Sequence, residues 1–232
     1  IALGYNAVDN AYYRLSALTW HNCPEGRRGL PEAPFFLSVC RFVPEKNLPR
    51  LIKAFGRYRD GAAPGKGWHL VLCGDGPEAR SIDAAIAESG HVEAIHRPGF
   101  LQADSLSRLF AFASAFVLPS LSEPWGLVVN EAASTSLPLL VSERAGCVTT
   151  LVPEPEGTTG ARFDPLDIEE MTQKLIWMTQ LTTEERQSMG KRAAKVVEEW
   201  GPDRFAKGML DALELAAGRR IASQREILEG VR

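Results

Sequence analysis

Ala115-Phe-Val-Leu-Pro119-Ser-Leu-Ser-Glu123-Pro-Trp-Gly126-Leu-Val-Val-Asn-Glu131-Ala-Ala133 is the stretch whose reading decides the fold. Ala115 to Pro119 is an apolar run with the pattern of a buried strand, and from Gly126 the spacing of Leu127, Val128 and the two alanines suits a helix. The tight Pro124-Trp125-Gly126 turn lies between them. A helix N-terminus presents unpaired backbone N–H groups and a partial positive charge. Gly126, Leu127 and Val128 are therefore expected to form a cradle for an anion such as a diphosphate, with Gly126 allowing close approach. Two carboxylates with seven residues between them bracket this cradle. Glu123 falls in the turn, facing the pocket; Glu131, more than one turn into the helix, is aimed sideways at a pair of hydroxyls.

The same unit repeats along the chain. Phe35 to Arg41, Trp68 to Cys73, Val92 to His96, Pro138 to Ser142 and Gly160 to Phe163 read as further strands. Helical spacing falls at Asn47 to Arg59, Pro77 to Ser89, Ser105 to Ala113, Leu166 to Gln180, Thr183 to Glu199 and Pro202 to Leu215. The loop from Gly61 to Gly67 reads as surface, since the strand pattern resumes at Trp68. Apolar strands separated by helices predict an α/β, Rossmann-like parallel sheet with helices on both faces. Ligands of such sheets bind beyond the carboxyl ends of the strands, where Arg41, Gly74, Gly99 and Glu123 fall.

The Glu123 and Glu131 pair resembles the signature of the retaining family-four glycosyltransferases, which have the two-domain GT-B architecture. Phe36-Leu-Ser-Val-Cys-Arg41-Phe-Val-Pro-Glu-Lys46-Asn-Leu-Pro-Arg-Leu-Ile-Lys-Ala-Phe55 is similar to that family's first donor-domain strand, loop and helix. Leu70-Val-Leu-Cys-Gly74-Asp-Gly76-Pro, Pro98-Gly99-Phe100 and Gly160-Ala-Arg-Phe-Asp164-Pro follow in family order. The resemblance implies that Arg41 and Lys46 bind the donor diphosphate, Glu123 orients the donor sugar and Glu131 holds the ribose hydroxyls. Arg97, Gly99 and Phe100 would lie at the nucleobase. It also implies one half of a GT-B enzyme: residues 1–30 as linker and lead-in from an N-terminal acceptor domain, 31–200 as the nucleotide-sugar-binding domain, and 201–232 as a crossing helix and tail. The expected partners are a UDP- or GDP-linked sugar donor, a glycan or lipid-linked acceptor and that N-terminal GT-B domain. A trimmed but complete single-domain protein is the alternative.

Without the resemblance, Arg41 and Lys46 read as solvated charges beside a helix that also carries Arg50, Lys53 and Arg57. Glu131 alone reads as an exposed helix residue. No Asp-x-Asp occurs, and two fixed cations with a helix end leave no need for a metal, so no cofactor is expected. A net charge of −3 argues against a nucleic-acid partner, which calls for a basic face. Cys23, Cys40, Cys73 and Cys147 lack Cys-x-x-Cys spacing, so free, buried thiols are expected. His21, His69, His91 and His96 do not cluster at metal-ligand spacing and read as structural or exposed. No apolar run reaches the roughly 18 residues of a membrane span and no signal peptide is visible, which makes the cytoplasm the default, with peripheral attachment at the inner face of the membrane left open by the resemblance.

Two departures from the family pattern bear on the site. Ser134-Thr-Ser136-Leu-Pro138 has serine where the family has glycine, so that turn is expected to differ. Ala145-Gly146-Cys147 and Thr150 replace a Gly-Gly pair and a glutamate, which puts the loop over the donor sugar in question. A non-catalytic nucleotide-binding or interaction module of the same fold is the competing reading; a dinucleotide oxidoreductase lacks its Gly-x-Gly-x-x-Gly.

Overall fold

The computed structural model describes residues 6–63 and 65–217. The tail from Gly218 to Arg232, the first residues of the Gly4 to Asp9 match, and Pro64 of the surface loop lie outside the described residues. Six parallel strands, β1 (Phe35–Val39), β2 (His69–Cys73), β3 (Ile95–Gly99), β4 (Ala115–Leu118), β5 (Leu139–Ser142) and β6 (Gly160–Phe163), form one sheet in the order β3-β2-β1-β4-β5-β6. The helices are α1 (Asn10–Asn22), α2 (Leu48–Gly61), α3 (Ala79–Glu88), α4 (Ala103–Phe112), α5 (Leu127–Ser134), α6 (Val148–Leu151), α7 (Ile168–Gln180), α8 (Thr183–Val197) and α9 (Pro202–Ala216). This is the Rossmann-like α/β fold expected from the sequence.

Strand alternation divides the core in two. Phe36, Leu70, Leu72, Val117, Leu140 and Phe163 point to the face covered by α2, α3 and α7. Phe35, Leu37, Val71, Phe116, Leu118 and Val141 point to the face covered by α4, α5, α6 and α8. Because both faces are covered, consecutive residues of the inner strands β1, β2, β4 and β5 are nearly all buried, which is why they read as continuous apolar runs. Each fully buried Phe or Leu contributes about 1.5–3 kcal/mol of transfer free energy. In α2, Leu48, Leu51, Ile52 and Phe55 supply the buried stripe and Pro49 fits the first turn, where its missing N–H costs nothing.

The sheet turns around at its centre. Chain order runs outward from β1 through β2 to β3, then from β4 through β5 to β6, so the crevice between β1 and β4 is where the connections diverge. The ladder under that crevice is short: Phe36 pairs with Ala115 and Leu37 with Phe116, against five pairs between β1 and β2.

Several elements differ from the sequence reading. Val92–Ala94 is a short 3-10 helix, and the strand runs instead over Ile95–Gly99. Pro98 is tolerated inside it because β3 is an edge strand whose outer N–H groups need no partner. Residues 10–22, read as lead-in, form α1, which packs on α4 and α5; Asp9 caps it by accepting from the Tyr12 N–H at 2.9 Å. The short α6 also went unread. His69 and His96 do meet: Nδ1 and Nε2 are 2.7 Å apart and the rings stack with centroids 5.0 Å apart, on neighbouring strands β2 and β3. Burial lowers both imidazoles, so the pair is held neutral. Ser136 takes up a left-handed conformation, φ 63°, a region that glycine adopts freely. All four cysteines are free. Among the described residues no helix is long and apolar enough to cross a membrane.

Candidate functional site

The segment after β1 and the segment after β4 are stitched together over the crevice. After β1, a single 3-10 turn (Pro44–Lys46) leads to Asn47, which adopts φ 56° and is 3% exposed. Its amide Nδ2 donates to the carbonyls of Pro119 (3.0 Å) and Pro165 (2.8 Å), and its Oδ1 accepts from Arg50 at 3.0 Å. The Leu121 N–H donates to the Glu45 carbonyl at 2.7 Å. These bonds tie the loop carrying Arg41 and Lys46 to the loop carrying Glu123. Lys46 and Glu123 consequently meet as an ion pair, although 77 residues separate them. Their side chains are only 18% and 12% exposed, so water screens the pair weakly.

Gly126 follows at φ 95°, in the left-handed region. A Cβ there would stand 3.2 Å from both the Glu123 Cγ and the Leu118 side chain, so the left-handed turn favours glycine and a side chain would press on both neighbours. It opens α5 without any side-chain cap and with no acidic residue in the first turn. The N–H groups of the first turn, at Leu127 and Val128, are left for an external acceptor. The Glu123 main chain is itself fixed, its carbonyl accepting from the Gly146 N–H at 2.9 Å. The Trp125 carbonyl accepts from the Cys147 N–H at 3.1 Å. The Ala145 to Cys147 loop, in question from the sequence, therefore runs alongside the Glu123 turn.

Arg41 is exposed beside a pocket of about 130 Å³ that it lines with Cys40, Gly74, Phe100 and Leu101. Its guanidinium has no ion-pair partner among the described residues. Gly99 sits at φ 81° and its carbonyl accepts from the Gly74 N–H at 3.0 Å, which turns Phe100, 67% exposed, outward at the pocket mouth. Gly74 permits this crossing, since a Cβ there would lie 1.8 Å from the Cys40 carbonyl oxygen. Arg97 is not brought to this pocket. It pairs with Asp83 of α3 and lies 5.3 Å over the Phe42 ring.

Glu131 is half-buried beside Tyr13 of α1. Burial pushes its carboxyl up to about 7, with the Tyr13 hydroxyl of α1 pulling in the opposite direction. The Tyr13 hydroxyl is itself raised by burial and by the neighbouring carboxylate. Tyr13 and Asn47 escaped the sequence reading. Asp9 before Tyr13, Ala17 and Trp20 is a capping and spacing signal that could have revealed α1, and with it Tyr13. Asn47 carries no comparable local signal. Burial also pushes the Cys40 thiol up to about 12, which leaves it inert as a nucleophile. Two buried hydroxyls near the crevice, Ser38 on β1 and Ser120 just after β4, have no hydrogen-bond partner among the described residues. Among the described residues no group of three or more His, Cys, Asp or Glu side chains could hold a metal ion.

Comparison with known proteins shows a family and a fold. The family model described as glycosyl transferases group 1 matches residues 27–196. A sulfoquinovosyl transferase of Arabidopsis thaliana is 34% identical over 173 residues, 74% of this chain and 31% of that protein. The chain thus spans about a third of the length of that relative. Among solved structures, the sucrose-phosphate synthase of Thermosynechococcus elongatus superposes with a TM-score of 0.72 at 22% identity, covering 91% of this chain and 52% of that one. A UDP-forming alpha,alpha-trehalose-phosphate synthase of Burkholderia vietnamiensis gives a TM-score of 0.79 at 16% identity over 91% and 51%. Those two likenesses are of fold.

Proposed function

The chain belongs to the glycosyl transferases group 1 family, and on that premise we propose that it is the donor-binding half of a retaining hexosyltransferase of GT-B architecture. The donor is a UDP- or GDP-linked sugar and the acceptor a glycan or a lipid-linked glycan. One observation carries the reading: a lysine and a carboxylate from distant loops converge beside an uncapped helix N-terminus at the topological switch point of the sheet.

The chemistry follows from where charge develops. Cleaving the bond between the anomeric carbon and the nucleoside diphosphate leaves negative charge on the departing phosphate, and groups already aimed at that position lower the barrier. Arg41, Lys46 and the N–H groups of Leu127 and Val128 do this, and no metal enters the reading. Glu123 accepts from sugar hydroxyls, and Glu131, poised to lose its proton near neutrality, accepts from the ribose. Phe100 supplies an exposed aromatic face at the mouth of the pocket where the base would enter. Retention results when the acceptor hydroxyl enters on the face the leaving group vacates and the β-phosphate oxygen takes its proton.

Titration of UDP and GDP tests the assignment. Saturable binding of one of them is expected, and Arg41→Ala or Lys46→Ala should weaken it roughly 10- to 100-fold, the size of a lost charge-assisted contact. Unchanged affinity in both variants rejects the reading.

A further inference from the structure

Two jobs are assigned to groups that already hold each other. In the proposed donor site, on which this inference rests, Lys46 neutralises phosphate and Glu123 receives sugar hydroxyls; without ligand they satisfy one another in a largely dry ion pair. Arg41, by contrast, is exposed and without an ion-pair partner among the described residues. The two cations are therefore not equivalent. One is available to an arriving anion, whereas the other must first be released.

We propose that the Lys46–Glu123 pair is a latch that lowers the affinity of the site for a bare nucleoside diphosphate. A diphosphate can engage Lys46 only by drawing it off Glu123, which leaves a poorly hydrated carboxylate beside a second anion. An intact nucleotide sugar compensates the same step, since its hydroxyls donate to the freed carboxylate. A spent nucleoside diphosphate brings no such donors. The latch thus favours the intact donor over the product left after transfer, and closing of the pair helps to expel that product.

The geometry confines the movement to side chains. Asn47 holds the Lys46 loop through the Pro119 and Pro165 carbonyls, Leu121 holds Glu45, and the Glu123 main chain is bonded to Gly146. Swinging two side chains is enough to open the pair, and neither loop has to move.

The test is a double-mutant cycle on the full-length protein, read by titration with UDP and GDP. Glu123→Gln removes the charge but keeps the shape, and should tighten nucleoside diphosphate binding roughly tenfold. In a Lys46→Ala background the same substitution should give a clearly smaller gain, only the part that comes from removing one anion beside another, because no latch is left to release. A purely sugar-reading Glu123 would leave UDP and GDP binding untouched. If folded Glu123→Gln binds the diphosphate no more tightly than wild type, or if its gain is undiminished without Lys46, the latch is overturned. Should Glu123→Gln fail to fold, Glu123→Asp, one methylene shorter, must show a smaller gain of the same sign, and equal or weaker binding overturns the latch. If neither wild type nor any variant binds either nucleotide, the donor-site reading itself falls and takes the latch with it.

Discussion

Replacing Asn47 should damage both stability and the site. Its side chain makes two buried bonds to the carbonyls of Pro119 and Pro165 and accepts a third from Arg50, and its backbone sits at φ 56°. Losing the two buried amide bonds costs about 1 kcal/mol each, plus a further desolvation penalty for the carbonyls left behind. A left-handed alanine adds about 1 kcal/mol, since asparagine is among the few residues that tolerate that region. Asn47→Ala is therefore expected to lose about 3–4 kcal/mol in urea denaturation, with an unchanged slope against denaturant. Asn47→Gly restores backbone freedom but not the bonds, and should lose about 2–3 kcal/mol. Because the same bonds fix the Lys46 loop against the segment after β4, both variants should also misplace the lysine relative to the diphosphate and bind nucleoside diphosphate more weakly. An alanine variant losing less than about 1 kcal/mol, or a glycine variant no more stable than the alanine one, would refute the reasoning.

Two other positions give separate tests. Burial holds the Glu131 carboxyl up at about 7 against an ordinary 4.5, so the folded state binds its proton more tightly than the unfolded chain. The benefit is fully present below about pH 4.5 and is lost as pH rises through 7. Glu131→Gln should therefore match wild type near pH 4 and exceed it by up to about 3 kcal/mol at pH 8; a difference that does not vary with pH counts against a buried, raised carboxyl. Ser136 carries a left-handed backbone without being glycine, and Ser136→Gly should raise stability by about 0.5–1 kcal/mol, an outcome a melting measurement will contradict if the midpoint falls.

What could be read from the sequence depended on how local the determining interaction was. β1, β2 and β4 were legible because strands covered on both faces must be apolar at every position. β3 was displaced by three residues because an edge strand can hold His96, Arg97 and Pro98, which resemble a loop. α1 was missed because Ala17 is its one buried residue, so that only the Asp9 cap and the sparse Tyr13, Ala17 and Trp20 spacing mark it. At the site, Gly126 and the two glutamates announced themselves through spacing within one turn and helix. Asn47 did not, since its partners lie 72 and 118 residues away. Nor could the sequence show that Lys46 would be engaged by Glu123, that Arg97 would be claimed by Asp83, or that Glu131 would meet Tyr13 of α1. Each of those depends on packing between elements that no short window contains.

The two-pair ladder between β1 and β4 makes a bound molecule a buckle. The weakest-laced line of the sheet runs beneath the place where Lys46 meets Glu123, next to the Gly126 turn, so anything gripping both sides fastens the two halves of the domain. Occupancy at a hundred times the dissociation constant adds about 2.7 kcal/mol to global stability for any ligand. Here that gain lands on the line where separation of the halves would begin, so amide exchange along Phe36, Leu37, Ala115 and Phe116 should slow more than exchange along β5 and β6.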